Sequence, residues 1–104
     1  MNNVKNTEEQ FKILRKIDKK PNLTQRELAE ELGFSLGKLN YCLRALKHKG
    51  LIKIKNVYKN PKKIHYLYLL TPQGINTKMK LTINLMKRKM REYDELKSEI
   101  NEKR

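Results

Sequence analysis

Three sets of apolar residues in the first half of the chain recur at intervals of three and four, the spacing that gives a helix one buried face. They are Phe11, Leu14 and Ile17; Leu28, Ala29 and Leu32; and Leu36, Leu39, Leu43 and Leu46. Thr7 with Gln10 reads as a capping box, and Glu8 and Glu9 suit the positive end of a helix. The first helix is therefore expected from about Glu8 to Lys19, after a frayed Met1 to Asn6. Pro21 and Asn22 stop it, and Leu23 is expected to make a one-residue strand pairing. Thr24 and Glu27 form a second capping box, Leu23 and Leu28 a hydrophobic staple, and Gly33 supplies the left-handed residue that ends a short helix. Ser35 then caps a third helix, with Phe34 and Leu39 repeating the staple and Gly50 as its stop. Two helices joined by so tight a turn read as a helix-turn-helix.

After Gly50 the period changes from 3.6 to 2. Residues 51–58 and 63–70 both alternate apolar with polar, and Lys59-Asn60-Pro61-Lys62 lies between them, which predicts a β-hairpin with a basic tip. Thr71 and Pro72 open a last helix with a cap and a proline at its first position, and Leu70 with Ile75 offers a further staple. No proline or glycine follows Gly74, so this helix can run to about Lys103, roughly 45 Å at 1.5 Å per residue. That exceeds what so small a core can cover. Met79, Ile83, Met86, Met90, Tyr93 and Ile100 recur along it at alternating spacings of four and three, interrupted at Lys97. Such a stripe on a protruding helix needs a partner, and a second copy of the chain is the expected one. Folding back as core, or holding a ligand, are the other uses of a methionine stripe.

Charge changes this picture. The chain of 104 residues has a formal net charge of +14 and a pI near 10.0, which favours a polyanionic partner. From Leu32 to Arg91 it contains no Asp or Glu at all. Opposite the leucines of the third helix stand Gly37, Tyr41, Arg44, Ala45 and His48, flanked by Lys38 and Asn40. Asn and Arg can hydrogen-bond base edges, Lys and Tyr can hold phosphate, and Gly37 lets the backbone come close. A polar stripe can also merely solvate a helix, and a basic turn can merely aid solubility; the acid-free surroundings and the position of the hairpin weigh against both. Placed directly after such a helix, the hairpin is a wing, with Lys59, Lys62 and Lys63 reaching phosphates or an adjacent minor groove.

The last helix segregates its charge. Lys78, Lys80, Lys87, Arg88, Lys89 and Arg91 crowd one half, while Glu92, Asp94, Glu95, Glu99 and Glu102 fill the other. Parallel pairing would lay the basic halves side by side, whereas antiparallel pairing sets basic against acidic in both directions, so an antiparallel coiled coil is expected.

Other chemistry finds little support in the residues. One cysteine allows no intramolecular disulfide, and no apolar run is long enough for a secretory signal or membrane span, so a single cytoplasmic domain is expected. Cys42 lies at the edge of the buried face of its helix, where a small thiol packs; a redox switch activated by nearby cations is the sharper alternative. No glycine-rich phosphate loop, metal-spaced His or Cys pair, or catalytic triad can be proposed, and His48 and His65 stand without suitably spaced partners. Neither an enzyme nor a cofactor is expected.

The succession TQRELAEELG, SLGKLNYCLRALKHKG, LIKIKN, a basic hairpin, YLLTPQG and a long basic-to-acidic helix resembles the winged helix-turn-helix regulators of the MarR family. It is most similar to the short subgroup described as EPS-associated MarR-family transcriptional regulators, over about Glu9 to Ile100. The resemblance implies a dimeric regulator binding double-stranded DNA at an inverted repeat, in this subgroup for exopolysaccharide biosynthesis genes. It places groove contacts at Gly37, Lys38, Asn40, Tyr41 and Arg44, with Gln25 and Arg26 on phosphate beside the wing lysines, and Ser35 is counted with them among the expected DNA-binding residues. Larger members carry extra terminal helices around an effector pocket, and the sequence here has one long C-terminal helix instead. The expected fold is mainly α with a small β-hairpin (α+β), a winged helix-turn-helix over residues 7–70 followed by a dimerisation helix over 71–103. A non-specific architectural DNA-binding protein, or an RNA-binding one, would share the charge without needing a shaped recognition helix.

Overall fold

A computed structural model describes the backbone of residues 3–60 and 63–102 and the side chains of residues 7–56 and 66–102. The elements follow in the order α1 (Asn3–Lys19), α2 (Gln25–Leu32), α3 (Leu36–His48), β1 (Ile52–Asn60), β2 (Lys63–Leu70) and α4 (Pro72–Glu102). The helix α1 starts ahead of the expected cap at Thr7: residues 3–6 contain neither proline nor glycine, so nothing obliges the helix to stop at the threonine.

The other caps fall where the residues place them. Thr24 Oγ1 accepts from the Glu27 amide at 3.1 Å while the Glu27 carboxylate accepts from the Thr24 amide at 3.1 Å, a reciprocal capping box. Ser35 accepts from the Lys38 amide at 3.1 Å and starts α3. Between the two helices Gly33 adopts φ 71°, a conformation that costs a side-chain-bearing residue dearly, and turns the chain within two residues.

The antiparallel hairpin pairs Ile52 with Leu70 through Tyr58 with Ile64, then shifts by one residue before Asn60 meets Lys63. The first strand therefore continues two residues into the stretch expected as turn, a bulge absorbing the extra residue. The third pairing, expected at Leu23, is replaced by a single backbone bond in which the Tyr68 amide donates to the Pro21 carbonyl at 3.3 Å. Pro21 has no N–H of its own to offer, so the contact stays a lone bond and the sheet keeps two strands.

Ile13, Leu14 and Ile17 of α1, Leu28 and Ala29 of α2, Leu39, Leu43 and Leu46 of α3, and Leu51, Ile52 and Tyr68 at the base of the hairpin close into one core. Leu36 does not join it and remains 45% exposed. It lies about 50° to the side of the face centred on Leu39, Leu43 and Leu46, and it opens the helix, where no neighbouring turn covers it.

Entry into α4 is tightly tied. Thr71 Oγ1 donates to the Gly50 carbonyl at 2.6 Å and accepts from the Gly74 amide at 3.0 Å, and the Thr71 amide donates to the Leu51 carbonyl at 3.0 Å. Gly74 is buried so closely against the same Leu51 carbonyl that a Cβ would overlap it. From there α4 runs antiparallel to α1, pinned by Lys78 to Asp18 at 2.6 Å and Arg88 to Glu8 at 3.4 Å. Residues 89–102 are exposed throughout and carry the helix about 20 Å further. The molecule measures 68 × 27 × 26 Å, with a radius of gyration of 17.4 Å against about 13 Å for a compact domain of this size.

Gly74→Ala should destabilise the fold by about 1–3 kcal/mol, because the methyl group can be accommodated only by moving the Leu51 backbone. Gly37→Ala has open space around the new atom and should leave stability unchanged or raise it by up to about 1 kcal/mol. Urea unfolding of the two variants beside the parent measures both effects.

Candidate nucleic-acid interface

The three leucines that anchor α3 fix which way its other faces look. With Leu39, Leu43 and Leu46 buried, Gly37, Asn40, Tyr41, Arg44 and His48 stand exposed on the outside, as the helical period requires. Tyr41 is 76% exposed, the highest value of any large apolar side chain among the described residues. Asn40, Tyr41 and Arg44 make no side-chain hydrogen bond or ion pair with other described residues. Their donors and acceptors are presented by a rigid helix and remain available, the arrangement needed to read an external surface.

Three other residues expected at the interface are engaged internally. Lys38 pairs with Glu9 of α1 at 2.6 Å and lies 4.5 Å over the Phe34 ring. Gln25 is half-buried beside Tyr68, a phenol whose pKa burial raises above its ordinary value while the Gln25 side chain opposes the shift. Ser35 spends its hydroxyl on the cap of α3. Arg26 is exposed at the start of α2. Of the wing residues, Lys62 lies outside the described residues, as do the side chains of Lys59 and Lys63, while the backbones of the latter two belong to β1 and β2. Lys53 and Lys55, exposed on β1, extend the basic surface of the hairpin toward α3 and did not stand out in the sequence because strand alternation alone accounts for them.

The acids of the first third are drawn away from this surface. Glu8 pairs with Arg88, Asp18 with Lys78, and Glu31 with both Lys16 at 3.3 Å and Lys20 at 3.1 Å. The hydrogen bond from Lys20, reinforced by Lys16, lowers the Glu31 pKa and keeps it ionised. Glu27 is held in its cap. Glu9, the acid of α1 that packs against α3, is neutralised by Lys38.

Cys42 packs at the edge of the core, and desolvation is the largest influence on its thiol, raising its pKa with help from Glu9 against the weaker pull of Lys38. A raised pKa depletes the reactive thiolate. Among the described residues no group of three or more His, Cys, Asp or Glu side chains could hold a metal ion, and no helix is long and apolar enough to cross a membrane.

Residues 10–53 match the family model for winged helix-turn-helix DNA-binding segments, which spans α2, the turn and α3 together with most of α1. Solved structures share the wider architecture. The PcaV transcriptional regulator from Streptomyces coelicolor is similar with a TM-score of 0.67 and 20% identity, over 75% of this chain and 54% of that one. MarR of Staphylococcus aureus, in complex with salicylate and kanamycin, is similar with a TM-score of 0.65 and 22% identity, over 83% and 56%. FabT of Streptococcus pneumoniae, in complex with DNA, gives a TM-score of 0.55 and 25% identity, over 84% and 56%. The chain thus spans little more than half the length of these relatives in structure. No curated protein matches the sequence. The fold is a winged helix-turn-helix with a long C-terminal helix, as in MarR structures, and α3 is the second helix of its helix-turn-helix.

Cys42 in the folded protein should react with iodoacetamide at pH 8 several-fold more slowly than in the chain unfolded in urea, since burial lowers both its thiolate fraction and its access. Equal rates in the two states would show that the thiol is neither buried nor shifted.

Proposed function

We propose that the protein is a sequence-specific, double-stranded DNA-binding transcriptional regulator of the MarR type, acting in the cytoplasm as a homodimer. The observation that carries this reading is the outward face of α3. Asn40, Tyr41 and Arg44 stand there without side-chain partners among the described residues, on a helix about 20 Å long that fits a major groove about 12 Å wide. Asn40 and Arg44 lie one turn apart and read base edges; Tyr41 and Arg26 hold phosphate, and Gly37 allows the first turn of α3 to approach the groove floor. Lys38 contributes to phosphate binding only by giving up Glu9, so its share is smaller, and Gln25 adds a contact at the start of α2. The wing lysines Lys59, Lys62 and Lys63 supply affinity that is largely independent of sequence.

Dimerisation through α4 accounts for the exposure of Met79, Ile83, Met86, Met90, Tyr93 and Ile100, every one of which is at least 45% exposed in the single chain. A two-fold axis across α4 presents two recognition helices to one face of DNA, and the operator is then an inverted repeat with half-sites about 34 Å or a multiple apart. The likeness in structure to FabT in complex with DNA supports the docking mode. The resemblance in sequence to the EPS-associated subgroup supports exopolysaccharide biosynthesis genes as the target.

Selection from a random duplex pool yields the operator, and titration of that operator and of scrambled duplexes at two salt concentrations tests the reading. Asn40→Ala and Arg44→Ala should each cost about 1–3 kcal/mol on the operator and little on scrambled DNA. Replacing Lys59, Lys62 and Lys63 by Ala should weaken both and flatten the salt dependence. Equal losses on the two duplexes for Asn40→Ala and Arg44→Ala would identify a non-specific nucleic-acid binder instead.

A further inference from the structure

We propose that the cleft between α1 and α2 is a further anion site, separate from the outward face of α3, which takes a small molecule carrying several phosphoryl groups. The cleft has a volume of about 390 Å³ and is lined by Lys12, Arg15, Lys16, Lys19, Glu31 and Leu32. Its four cations follow one another on α1 at steps of three, one and three residues, which sets them on one face over two turns, about 10 Å. Like charges three and four residues apart on a helix repel one another, so this face is held at a cost that an anion would relieve.

The chain supplies only part of that compensation. The acids of α1 are each committed to another helix, Glu8 to Arg88, Glu9 to Lys38 and Asp18 to Lys78. From α2, Glu31 reaches Lys16 at 3.3 Å and Lys20 at 3.1 Å. Lys12, Arg15 and Lys19 are left exposed, with no ion pair among the described residues. One carboxylate therefore stands against four cations around a single concavity.

Neither surface discussed above covers the cleft. Ile13, Leu14 and Ile17 of α1 and Leu39, Leu43 and Leu46 of α3 turn to the same core, so a duplex lying along the outside of α3 has that core between itself and the polar face of α1. The helix α4 meets α1 through Leu81, Leu85 and Arg88, which lie about 180–240° around it from Met79, so pairing of two chains through the methionine face leaves the cleft open. A concavity of this size suits a small molecule rather than a flat macromolecular surface. Phosphoryl oxygens accept in pairs from a guanidinium and singly from an ammonium, and several phosphoryl groups in a row can follow cations spread along two helical turns. Glu31 is their competitor: a phosphoryl group bound at Lys16 draws on the tie that holds α2 to α1.

Titration of the full chain with sodium tripolyphosphate, followed by backbone amide NMR shifts, tests the site, with sodium sulfate at matched ionic strength as the control. The shifts should centre on residues 12–19, Glu31 and Leu32, and the Lys12→Gln/Arg15→Gln double variant should bind about tenfold more weakly. Glu31→Gln, which frees Lys16 and Lys20, should bind several-fold more tightly, a gain that loosened folding does not produce. Asn40→Ala/Arg44→Ala should bind like the parent, so the outcome is judged apart from the reading of DNA by α3. A parallel titration with ATP decides the source of the phosphoryl groups: tighter binding than tripolyphosphate assigns a nucleotide, and equal or weaker binding assigns the phosphate chain alone. Shifts confined to α3 and the hairpin, the same response from sulfate, unchanged affinity in the Lys12/Arg15 variant, no gain in Glu31→Gln or a loss in Asn40→Ala/Arg44→Ala each overturn the site. A response of α1 to duplex DNA but not to tripolyphosphate overturns it in favour of a second nucleic-acid surface.

Discussion

The short link that joins Gly50, Leu51, Thr71 and Gly74 governs how the two halves of the molecule sit. The carbonyls at the end of the α3 segment are claimed by the hydroxyl and amide of Thr71, and the same hydroxyl caps α4. One threonine thereby fixes where the α3 segment ends, where the hairpin returns and in which direction the long helix leaves. Closeness is the cost of this economy. The backbone of α4 must lie directly on Leu51, which admits no side chain at position 74. Because the contacts are backbone carbonyls and a single hydroxyl, they transmit orientation rather than merely burying area.

Electrostatics serves the same separation of roles. A chain of net charge +14 must hold together against its own repulsion, and four of its eleven acids serve contacts between elements. Glu8 and Asp18 bind α1 to α4, Glu9 binds α1 to α3, and Glu31 gathers two cations between α1 and α2. Each such pair is exposed enough to contribute at most about 1 kcal/mol. Their greater effect is on the distribution of field: negative charge is consumed inside the assembly of helices, and the outward face of α3 keeps its positive potential undiluted.

Much of this was legible from residues alone, and the reasons differ by element. The capping boxes, the glycine stops and the leucine periodicity of α2 and α3 are local codes, so the turn and the polar face of the recognition helix followed directly. The start of α1 did not, because Thr7 has the side chain of a cap but stands in a run that is equally content as helix. The lone bond from Tyr68 to Pro21 and the commitment of Lys38 to Glu9 depend on residues far apart in sequence, and no spacing rule announces them. The exposure of Leu96 on α4 escaped for a related reason. A strict heptad leads past it to Lys97, whereas a straight helix of 3.6 residues per turn lets an apolar stripe drift sideways as it lengthens.

The continuity of α4 makes it a ruler. Beyond Gly74 no proline or glycine interrupts it as far as Glu102, and its base is tied to the end of the α3 segment. Distance and rotation at the far end are thus set by residue count alone: one residue added before Met79 advances the stripe by about 1.5 Å and turns it by about 100°, whereas seven advance it by about 10.5 Å and nearly restore its facing. Inserting or deleting whole heptads would consequently move the far end of α4 along its axis while leaving every residue of α1, α2, α3 and the hairpin unchanged.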